Sequence, residues 1–238
     1  MTIPPTAIAT ITWARNPAEE VLLLSAIREL TAFGLPLFVT DGGSSGAFTR
    51  ELRSMPQVQV SQSKGLWPQV KNSVTKAVRS GAQTIFYTEP DKLAFFRNHL
   101  PQLLATKQAG EKTGVVLASR TPQALSTFPP FQQMTETTIN NCCAEITGNV
   151  TDYCYGPFLF SSRLLSCLDA LPENCGWGWR PFLFVMAHRL GMEIDLFQGD
   201  FVCPPDQRED DATERIYRMK QLSQNIDGIV LATSQLLV

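Results

Sequence analysis

The amino-acid sequence predicts an α/β domain in which helices cover both faces of a mixed, mainly parallel sheet. Three segments with the pattern of a strand followed by a helix succeed one another between residues 7 and 80, and a fourth strand segment follows them. The second strand segment, Leu35 to Thr40, is almost continuously apolar, which is typical of a strand covered on both faces. This alternation favours parallel strands joined by right-handed crossovers.

The composition excludes several classes of protein. The chain has 238 residues, enough to bury a sizeable core, and its net charge of -2 provides no polybasic surface for nucleic acid or anionic lipid. No stretch approaches the roughly 18 consecutive apolar residues of a membrane span, and the short uncharged start is unlike a signal peptide. The cysteines lack C-x-x-C spacing, so we expect free thiols. We therefore expect one cytoplasmic domain with no nucleic-acid partner and no membrane span.

The first strand and helix have clear end signals. Residues 7–13 alternate and are rich in Ile and Thr, as in a strand. Asn16 can cap the helix that follows, and Pro17 fits its first turn. We predict that this helix runs to Phe33 and that Gly34 closes it.

The third and fourth strands are bounded in the same way. Residues 57–60 form a short strand, and residues 69–80 form a helix that ends at Gly81. Residues 83–88 are a β-branched and aromatic run between Gly81 and Pro90, typical of a buried strand. We expect the second and fourth strands to be adjacent and to bury the side chains of Leu37, Val39, Ile85 and Tyr87.

The second half of the chain continues with shorter elements. After residue 92 the predicted elements are a helix at 93–108 interrupted near Pro101, a strand at 115–119, a Pro-rich loop at 121–131, a helix at 132–146, a strand at 158–161, a helix at 162–171, a helix at 182–190, a strand at 192–197 and a C-terminal helix. That last helix carries an apolar stripe that favours a core or dimer contact, formed by Ile216, Met219, Leu222 and Ile226.

Two carboxylates, Glu89 and Asp91, follow the strand at 83–88. Pro90 between them has no N–H to give a neighbouring strand, so the chain must leave the sheet there. Ligands of open α/β sheets bind at the carboxyl edge of the strands, and an acid-x-acid pair can hold a hard divalent cation that also bridges diphosphate oxygens. The alternative is a solvated acidic turn.

A second candidate stretch, Asp41-Gly42-Gly43-Ser44, follows the strand at 35–40. An acid and a glycine-rich turn bring a carboxylate and backbone N–H groups to the same edge as Glu89. The stretch is not G-x-G-x-x-G, so a dinucleotide fingerprint is not supported, and a plain turn capped by Asp41 is the alternative. Lys71, early in the third helix, indicates either a nearby anion or an exposed lysine.

These stretches resemble the nucleotide-binding half of GT-A glycosyltransferases, whose fold is Rossmann-like. The resemblance covers residues 7 to 92 and rests on the order and spacing of four short motifs: Trp13-Ala14-Arg15-Asn16, Asp41-Gly42-Gly43-Ser44, Lys71-Asn72 and Glu89-Pro90-Asp91. It implies that Asp41 contacts the base or ribose of a nucleotide-sugar and that Lys71 stands near the nucleotide. It also implies a divalent cation, Mn or Mg, held with the diphosphate by Glu89 and Asp91. The remaining nucleotide-sugar contacts would come from Trp13, Arg15, Gly42 and Asn72.

The stretch Gly176-Trp177-Gly178-Trp179-Arg180 is the candidate acceptor site. Two tryptophans between glycines can offer flat apolar faces to a sugar, and the alternative is that both rings are buried in the core. Together with Tyr155-Gly156-Pro157, this motif resembles the sequences of the GT-A branch that includes glucosyl-phosphoglycerate and mannosylglycerate synthases. The resemblance implies acceptor contacts from Tyr155, Gly156, Trp177 and Trp179, and we take Asp91, Trp179 and Arg180 as the candidate catalytic residues.

Two departures from the family pattern bear on the chemistry. Inverting members carry an acidic pair at the start of this helix, where the present chain has Arg180-Pro181, so the expected general base is missing and we expect retention of anomeric configuration. Many members place a metal-binding His after the last strand, whereas residues 200–206 contain no His. Whether the chain needs a metal is therefore left open by the sequence.

We therefore expect a single GT-A-like domain with a nucleotide-sugar-binding half at 7–119, an acceptor half at 120–205 and a C-terminal helical extension at 206–238. The hypothesis is a glycosyltransferase that uses a nucleotide-diphospho-sugar and a small or anionic acceptor, with a homodimer as one possible assembly. One alternative is an inactive nucleotide-sugar-binding or assembly protein, which the altered motifs favour. The other is a nucleotidyltransferase, which would carry a glycine-rich basic loop directly after the first strand, where Trp13 to Asn16 has no glycine.

Overall fold

The computed structural model describes residues 5–235, and of Asp206 only the backbone. The described residues form seven strands in one sheet, in the order β3-β2-β1-β4-β6-β5-β7. The strands are β1 (Thr6–Thr12), β2 (Leu37–Asp41), β3 (Val58–Gln62), β4 (Thr84–Tyr87), β5 (Thr113–Arg120), β6 (Phe158–Ser161) and β7 (Glu193–Gly199).

Helices connect and cover these strands. The α-helices are α1 (Pro17–Thr31), α2 (Gly46–Ser54), α3 (Leu66–Arg79), α4 (Leu93–Asn98), α5 (Leu100–Thr106), α6 (Pro122–Leu125), α7 (Pro130–Thr147), α8 (Trp179–Arg189) and α9 (Ala212–Ser234). Three segments are 3-10 helices instead: Ser162–Ala170, Gly176–Gly178 and Pro205–Gln207. The prediction of an α-helix at 162–171 was therefore wrong in type but not in place.

The sheet is mixed and mainly parallel, as predicted. Among the described strands, β6 alone runs antiparallel, and it does so to both of its neighbours, β4 and β5. The pairs β1-β2, β1-β4, β2-β3 and β5-β7 are parallel. The chain passes from β3 back across the sheet to β4, which lies on the other side of β1. The strand order therefore reverses at β1 and β4, the kind of place where open α/β sheets bind ligands.

This crossover corrects one expectation. Leu37 and Val39 on β2, and Ile85 and Tyr87 on β4, are all fully buried as predicted. The two strands are not adjacent, however, because β1 pairs with both of them. Which strands are adjacent depends on the direction in which each connection crosses the sheet, and the hydrophobic pattern of single segments contains no information on that direction.

Two apolar layers cover the faces of the sheet. One contains α3, α7, α8 and the second half of α9, and the other contains α1, α2, α4 and α5. Residues of β1 alternate between them, so that Ala7 and Ala9 face the first layer while Ile8 faces the second. The helices thus lie on both faces, as the sequence predicts.

In the C-terminal helix only the second half of the predicted apolar stripe packs against the core, and its alternative, a dimer contact, stays a prediction. Ile216 and Met219 of the predicted apolar stripe are exposed, and Leu222 and Ile226 are only partly buried. The buried face of α9 is formed instead by Asn225, Gly228, Ile229 and Ala232. The reason is that the first half of α9 borders a polar cleft, so its polar side chains face the protein and its apolar ones face solvent.

Two smaller findings complete the fold. Each of the six cysteines, all of which lie in the described part of the chain, is a free thiol. Within residues 5–235, no helix combines the length and the apolar character that crossing a lipid bilayer requires.

Candidate functional site

Three cavities meet over the carboxyl ends of β1, β2 and β4. The central cavity, about 200 Å³, is bordered by Glu89, Asp91 and Arg180 among others. The α9-side cavity, about 620 Å³, lies between Gly42 and α9. The α1-side cavity, about 400 Å³, lies between α1 and the segment after β4.

Shared residues show that these cavities adjoin one another, and the three together are referred to as the cleft. Asp91 borders both the central and the α1-side cavity, and Trp13 borders both the α1-side and the α9-side cavity. Trp177 and Tyr217 stand between the central and the α9-side cavity. The indole N–H of Trp177 donates to the Tyr217 hydroxyl at 3.0 Å, which ties the loop before α8 to α9.

Glu89 and Asp91 lie at the strand edge that the sequence predicts, and each faces a basic side chain. Glu89 Oε1 is 3.4 Å from Arg180 Nη1, and Asp91 Oδ2 is 2.9 Å from Lys92 Nζ. Gly156 makes room for this arrangement, because a Cβ atom there would lie only 2.9 Å from Glu89 Oε2, and its φ of +129° is open to glycine alone. Gly156 thus shapes the cleft through its missing side chain.

Arg180, the second residue of α8, is held from three sides. Besides Glu89, its guanidinium donates to the Cys154 carbonyl at 2.9 Å and lies 5.7 Å from the Trp177 ring centroid. Burial lowers the pKa of Arg180, but the neighbouring Glu89 carboxylate and other anionic groups outweigh burial, so the pKa lies above its ordinary value. The side chain therefore keeps its positive charge inside the cleft.

The two carboxylates fit a divalent cation only in part. Hard oxygen donors suit Mg²⁺ and Mn²⁺, which proteins commonly bind through one or two carboxylates together with substrate phosphates. Within residues 5–235, no group of three or more His, Cys, Asp or Glu side chains could hold a metal. The donor set therefore suits a cation that is shared with a diphosphate, not a site built from protein ligands alone.

Asp41 is placed differently from the expectation that it contacts a nucleotide. It is fully buried, and both its oxygens are occupied: Oδ1 accepts from the backbone N–H groups of Gly43 and Ser44, and Oδ2 accepts from the Thr12 and Ser44 hydroxyls. A saturated carboxylate has no acceptor left for a ligand. Asp41 instead fixes the turn that brings Gly42 to the α9-side cavity.

Three other expected nucleotide contacts are paired with protein side chains. Lys71 pairs with Asp169 at 3.0 Å, Asn72 donates to the Ser61 hydroxyl at 3.1 Å, and Arg15 pairs with Glu19 at 2.8 Å. Lys71, Asn72 and Arg15 do not themselves border the three cavities, although Glu19, the partner of Arg15, borders the α1-side cavity. On α3 it is Gln69, not Lys71, that faces Gly42, because residues two positions apart on a helix lie on nearly opposite sides.

The two tryptophans of the Gly176–Gly178 region have different environments. Trp179 is fully buried, with its ring centroid 4.7 Å from that of Tyr87 and 6.0 Å from that of Trp67. The expectation that Trp179 contacts an acceptor was therefore wrong, because its ring has no exposed face. Trp177 is half-buried and borders the cleft, so of the two it is the one that can meet a ligand.

Tyr155 borders the central cavity, as expected of an acceptor contact. Its ring stacks on Phe201 with centroids 4.9 Å apart, and Lys92 Nζ lies 5.7 Å from the ring centroid. Burial raises the pKa of Tyr155, so its hydroxyl stays protonated at neutral pH. The residue therefore offers a neutral hydroxyl and a fixed ring edge to the cavity.

A buried charge cluster beneath the central cavity was missed in the sequence. Arg120 Nε lies 2.6 Å from Asp152 Oδ2, and Arg120 Nη2 lies 2.5 Å from Glu136 Oε2. Asn140 donates to Asp152 at 3.1 Å, and Gln132 donates to Glu136 at 2.8 Å. The one signal available was that Arg120 ends β5 at the same sheet edge as Glu89, but its partners lie 16 and 32 residues away.

The charges of this cluster are mutually stabilised. Burial raises the pKa of Asp152, but the Arg120 guanidinium and hydrogen bonds from Arg120, Cys154 and Asn140 outweigh it, so the pKa lies below its ordinary value. Burial likewise opposes the charge on Arg120, and its two carboxylate partners raise its pKa above the ordinary value. Arg120 and Glu136 thus border the central cavity as a fixed ion pair.

Helix α9 forms one wall of the cleft, a role that the sequence did not indicate. It contributes Tyr217, Arg218 and Gln221 to the central cavity and Lys220 and Gln224 to the α9-side cavity. Its backbone crosses the Gly176–Gly178 turn so closely that a Cβ atom at Gly228 would lie 2.1 Å from the Gly178 carbonyl oxygen. The available signal was Gly228 in a helix interior, where glycine normally has a packing reason.

Comparison with known proteins shows similarity only at the level of structure. No protein-family model matches the chain, and no curated protein sequence is significantly similar to it. Solved structures of glucosyl-3-phosphoglycerate synthase from Mycobacterium tuberculosis do match. Its complex with UDP has a TM-score of 0.66 at 15% identity over 96% of this chain and 80% of that one.

Two further complexes of that synthase show the same similarity. The complex with Mn²⁺, UDP and phosphoglyceric acid has a TM-score of 0.64 at 15% identity, covering 98% of this chain and 80% of that one. The complex with Mn²⁺, UDP-glucose and phosphoglyceric acid has a TM-score of 0.65 at 14% identity, covering 95% and 80%. The chain therefore has the GT-A fold of nucleotide-diphospho-sugar transferases.

Proposed function

We propose that this chain is a glycosyltransferase that moves a sugar from a nucleotide-diphosphate donor to a small anionic acceptor. The observation that carries the proposal is the pairing of Glu89 with Arg180 and of Asp91 with Lys92, at the point where the strand order of a GT-A sheet reverses. Charges of both signs at one edge suit a ligand that brings a diphosphate together with a divalent cation. The structural neighbour solved with Mn²⁺ and UDP-glucose supports the same assignment.

The α9-side cavity is the proposed place of the nucleoside. Its volume of about 620 Å³ is in the range of small-molecule sites. Trp13 and Trp177 border it with aromatic surface, and Gly42 borders it together with the Gln69 side chain that packs on it. From there the diphosphate reaches Glu89 and Asp91, and the sugar extends into the central cavity.

The chain's own residues then stabilise the departing diphosphate. Arg180 and Lys92 lie within reach of the same edge and direct N–H donors at the negative charge that develops as the sugar leaves. When bound, a divalent cation held by Glu89 and Asp91 would supply further charge neutralisation. Catalysis is thus positioning and electrostatic stabilisation.

The acceptor is proposed to bind in the central cavity as an anion. Four basic side chains border this cavity, one more than the three carboxylates Glu89, Asp91 and Glu136: Lys92, Arg120, Arg180 and Arg218. Tyr155 and Trp177 border it from either side and are the proposed acceptor contacts. The neighbouring synthase was solved with phosphoglyceric acid, an acceptor-sized anion, and this supports the choice.

We further propose that the sugar keeps its anomeric configuration. The three carboxylates that border the central cavity, Glu89, Asp91 and Glu136, each face a basic side chain, so among the described residues none is a free general base. The acceptor oxygen would then attack on the face from which the diphosphate leaves, and its proton would pass to the departing diphosphate oxygen. NMR of the product measures this directly, and an inverted anomer would contradict it.

The first test is a thermal-shift screen against UDP-, GDP- and ADP-sugars with and without Mn²⁺. A ligand that binds the folded chain raises the unfolding midpoint by mass action whether or not turnover occurs. We expect one nucleotide to raise the midpoint more with Mn²⁺ than without it. A screen in which no nucleotide-sugar changes the midpoint would contradict the proposal.

The sharper prediction concerns Asp91→Asn. The change removes ligand charge from a hard cation, so nucleotide-sugar binding should weaken much more in the presence of Mn²⁺ than in its absence. Asp169→Asn is the control, because that side chain is 74% exposed and pairs with Lys71 away from the cleft. Calorimetric titration measures both. Equal losses with and without Mn²⁺ would indicate a direct contact from Asp91 to the ribose or sugar and would remove the metal from the proposal.

One alternative is favoured by a specific observation. Basic side chains already occupy both carboxylates, and the acidic pair of inverting relatives is replaced by Arg180-Pro181, which suits an inactive nucleotide-sugar-binding protein. Binding of a nucleotide-sugar without transfer to any phosphorylated or carboxylated acceptor would favour this alternative over the enzyme.

A further inference from the structure

Arg180 occupies the carboxylate on which a divalent cation would depend. Its Nη1 lies 3.4 Å from Glu89 Oε1, and the side chains of Arg180 and Glu89 are only 12% and 14% exposed. Solvent therefore screens this pair less than it would screen a surface pair. A cation that approaches Glu89 meets a positive charge 3.4 Å from its Oε1 atom.

The local charges cancel before any ligand arrives. Glu89 and Asp91 contribute two negative charges, and Arg180 and Lys92 contribute two positive ones. A divalent cation alone would leave this edge with a net charge of +2, whereas a cation together with a nucleotide-diphospho-sugar, whose diphosphate carries a charge of about −2, would restore neutrality. Cation and diphosphate should therefore favour each other's binding.

The ion pair between Arg180 and Glu89 can also break without displacing Arg180. At 3.4 Å it is long for an ion pair, compared with 2.6 Å between Arg120 and Asp152 in the same cleft. Arg180 keeps two other contacts, with the Cys154 carbonyl and the Trp177 ring, which do not depend on Glu89. The guanidinium can therefore leave Glu89 without losing its place in the cleft.

We propose that Arg180 makes binding of a divalent cation conditional on a nucleotide diphosphate. In the ligand-free chain the guanidinium holds Glu89. A diphosphate draws the guanidinium to itself, and Glu89 becomes free to bind the cation beside Asp91. This inference rests on the assignment of Glu89 and Asp91 under the proposed function, and it adds an order of binding that the assignment alone does not require.

The experiment is a titration of the protein with Mn²⁺, in which electron paramagnetic resonance reports the free ion and a protein-free titration at the same UDP concentration corrects for Mn²⁺ bound by UDP in solution. The wild-type chain should bind Mn²⁺ at least about tenfold more tightly in saturating UDP than without it. Arg180→Gln removes the competing charge, so it should bind Mn²⁺ alone at least about tenfold more tightly than the wild type does. Arg180→Lys keeps a positive charge and should resemble the wild type.

Arg163→Gln is the matched control. It removes the same charge from a side chain that is 62% exposed and pairs with Glu111, so it should leave Mn²⁺ binding unchanged. A thermal unfolding curve for each variant confirms that it is folded.

The outcomes separate the inference from the proposed function. If wild-type chain binds Mn²⁺ equally well with and without UDP, the inference is overturned, and this measurement needs no variant. If UDP promotes Mn²⁺ binding but Arg180→Gln binds Mn²⁺ alone no better than the wild type, Arg180 is not the cause and only the inference fails. If Mn²⁺ binds under no condition, the cation site of the proposed function fails as well.

Discussion

At the scale of single residues, removal of the Asp152 carboxylate should lower the free energy of unfolding strongly. Its carboxylate is buried and accepts from Arg120, Asn140 and the backbone N–H of Cys154. Asp152→Ala leaves the Arg120 guanidinium buried with one partner fewer, and breaking a buried pair in this way costs about 3 to 5 kcal/mol. Urea unfolding at pH 7 measures the loss. The matched control is Asp169→Ala, an exposed pair that should change stability by less than about 1 kcal/mol.

Because of the same carboxylate, we expect the free energy of unfolding to fall at acidic pH. Because the pKa of Asp152 is lower in the folded chain than in the unfolded one, its contribution is fully present above about pH 4 and is lost as the pH falls through the folded value. The difference in stability between wild type and Asp152→Asn should therefore shrink on acidification below pH 4. A difference that stays constant from pH 6 to pH 3 would show that Asp152 titrates normally.

Residue types and positions along the chain predicted only part of this chemistry. Glu89 and Asp91 were found because Pro90 ends a strand, which is a local signal. The Arg120–Asp152 pair was not found, because its partners lie 32 residues apart and meet only through the sheet topology. Trp179 was misplaced for a related reason: glycines on both sides permit a loop, but the ring's burial depends on Trp67 and Tyr87.

At the scale of elements, the crossing of α9 over the Gly176–Gly178 turn should tolerate no side chain. Helix propensity alone predicts that Gly228→Ala stabilises a helix by up to about 1 kcal/mol. Here the new Cβ would collide with the Gly178 carbonyl oxygen, which is backbone and cannot turn aside. We expect destabilisation of about 1 to 3 kcal/mol, the range for overpacking, together with weaker nucleotide-sugar binding because α9 borders the cleft.

Gly46→Ala provides the comparison for that variant. Gly46 begins α2, and a Cβ atom there meets only the flexible end of Arg50 at 3.4 Å. The change should be neutral or slightly stabilising in thermal unfolding. A Gly228→Ala variant that is as stable as Gly46→Ala would mean that α9 can shift without consequence.

Element positions were the most predictable level of the structure. Asn16 and Pro17 mark the start of α1 through a local hydrogen bond and a fixed backbone angle, and the structure shows both in these roles. The inward face of α9 was not predictable from its apolar residues. Apolar periodicity indicates the buried face of a helix only where the helix packs on an apolar neighbour, whereas the first half of α9 borders a charged cavity. The division into halves at residues 119 and 205 stays a prediction.

At the scale of the whole molecule, the homodimer stays a prediction with a clear test. Ile216, Met219 and Val230 on α9 are exposed apolar side chains. Analytical ultracentrifugation should give a dimer for the wild type and a monomer for Ile216→Glu with Met219→Glu. Val150→Glu, a change at another exposed position, should leave the mass unchanged.

The charge pairs in the cleft also govern how a ligand arrives. The central cavity and the layer beneath it hold four acidic and four basic side chains: Glu89, Asp91, Glu136 and Asp152 against Lys92, Arg120, Arg180 and Arg218. The electrostatic fields of paired opposite charges cancel beyond a few ångströms. An approaching nucleotide diphosphate therefore meets little long-range attraction. Its association rate constant, measured by stopped flow, should therefore change little between low and high ionic strength, and a steep fall with salt would reveal a field that these pairs do not cancel. Diffusion would deliver the ligand at an ordinary rate, and the charges would act only once it has entered the cleft.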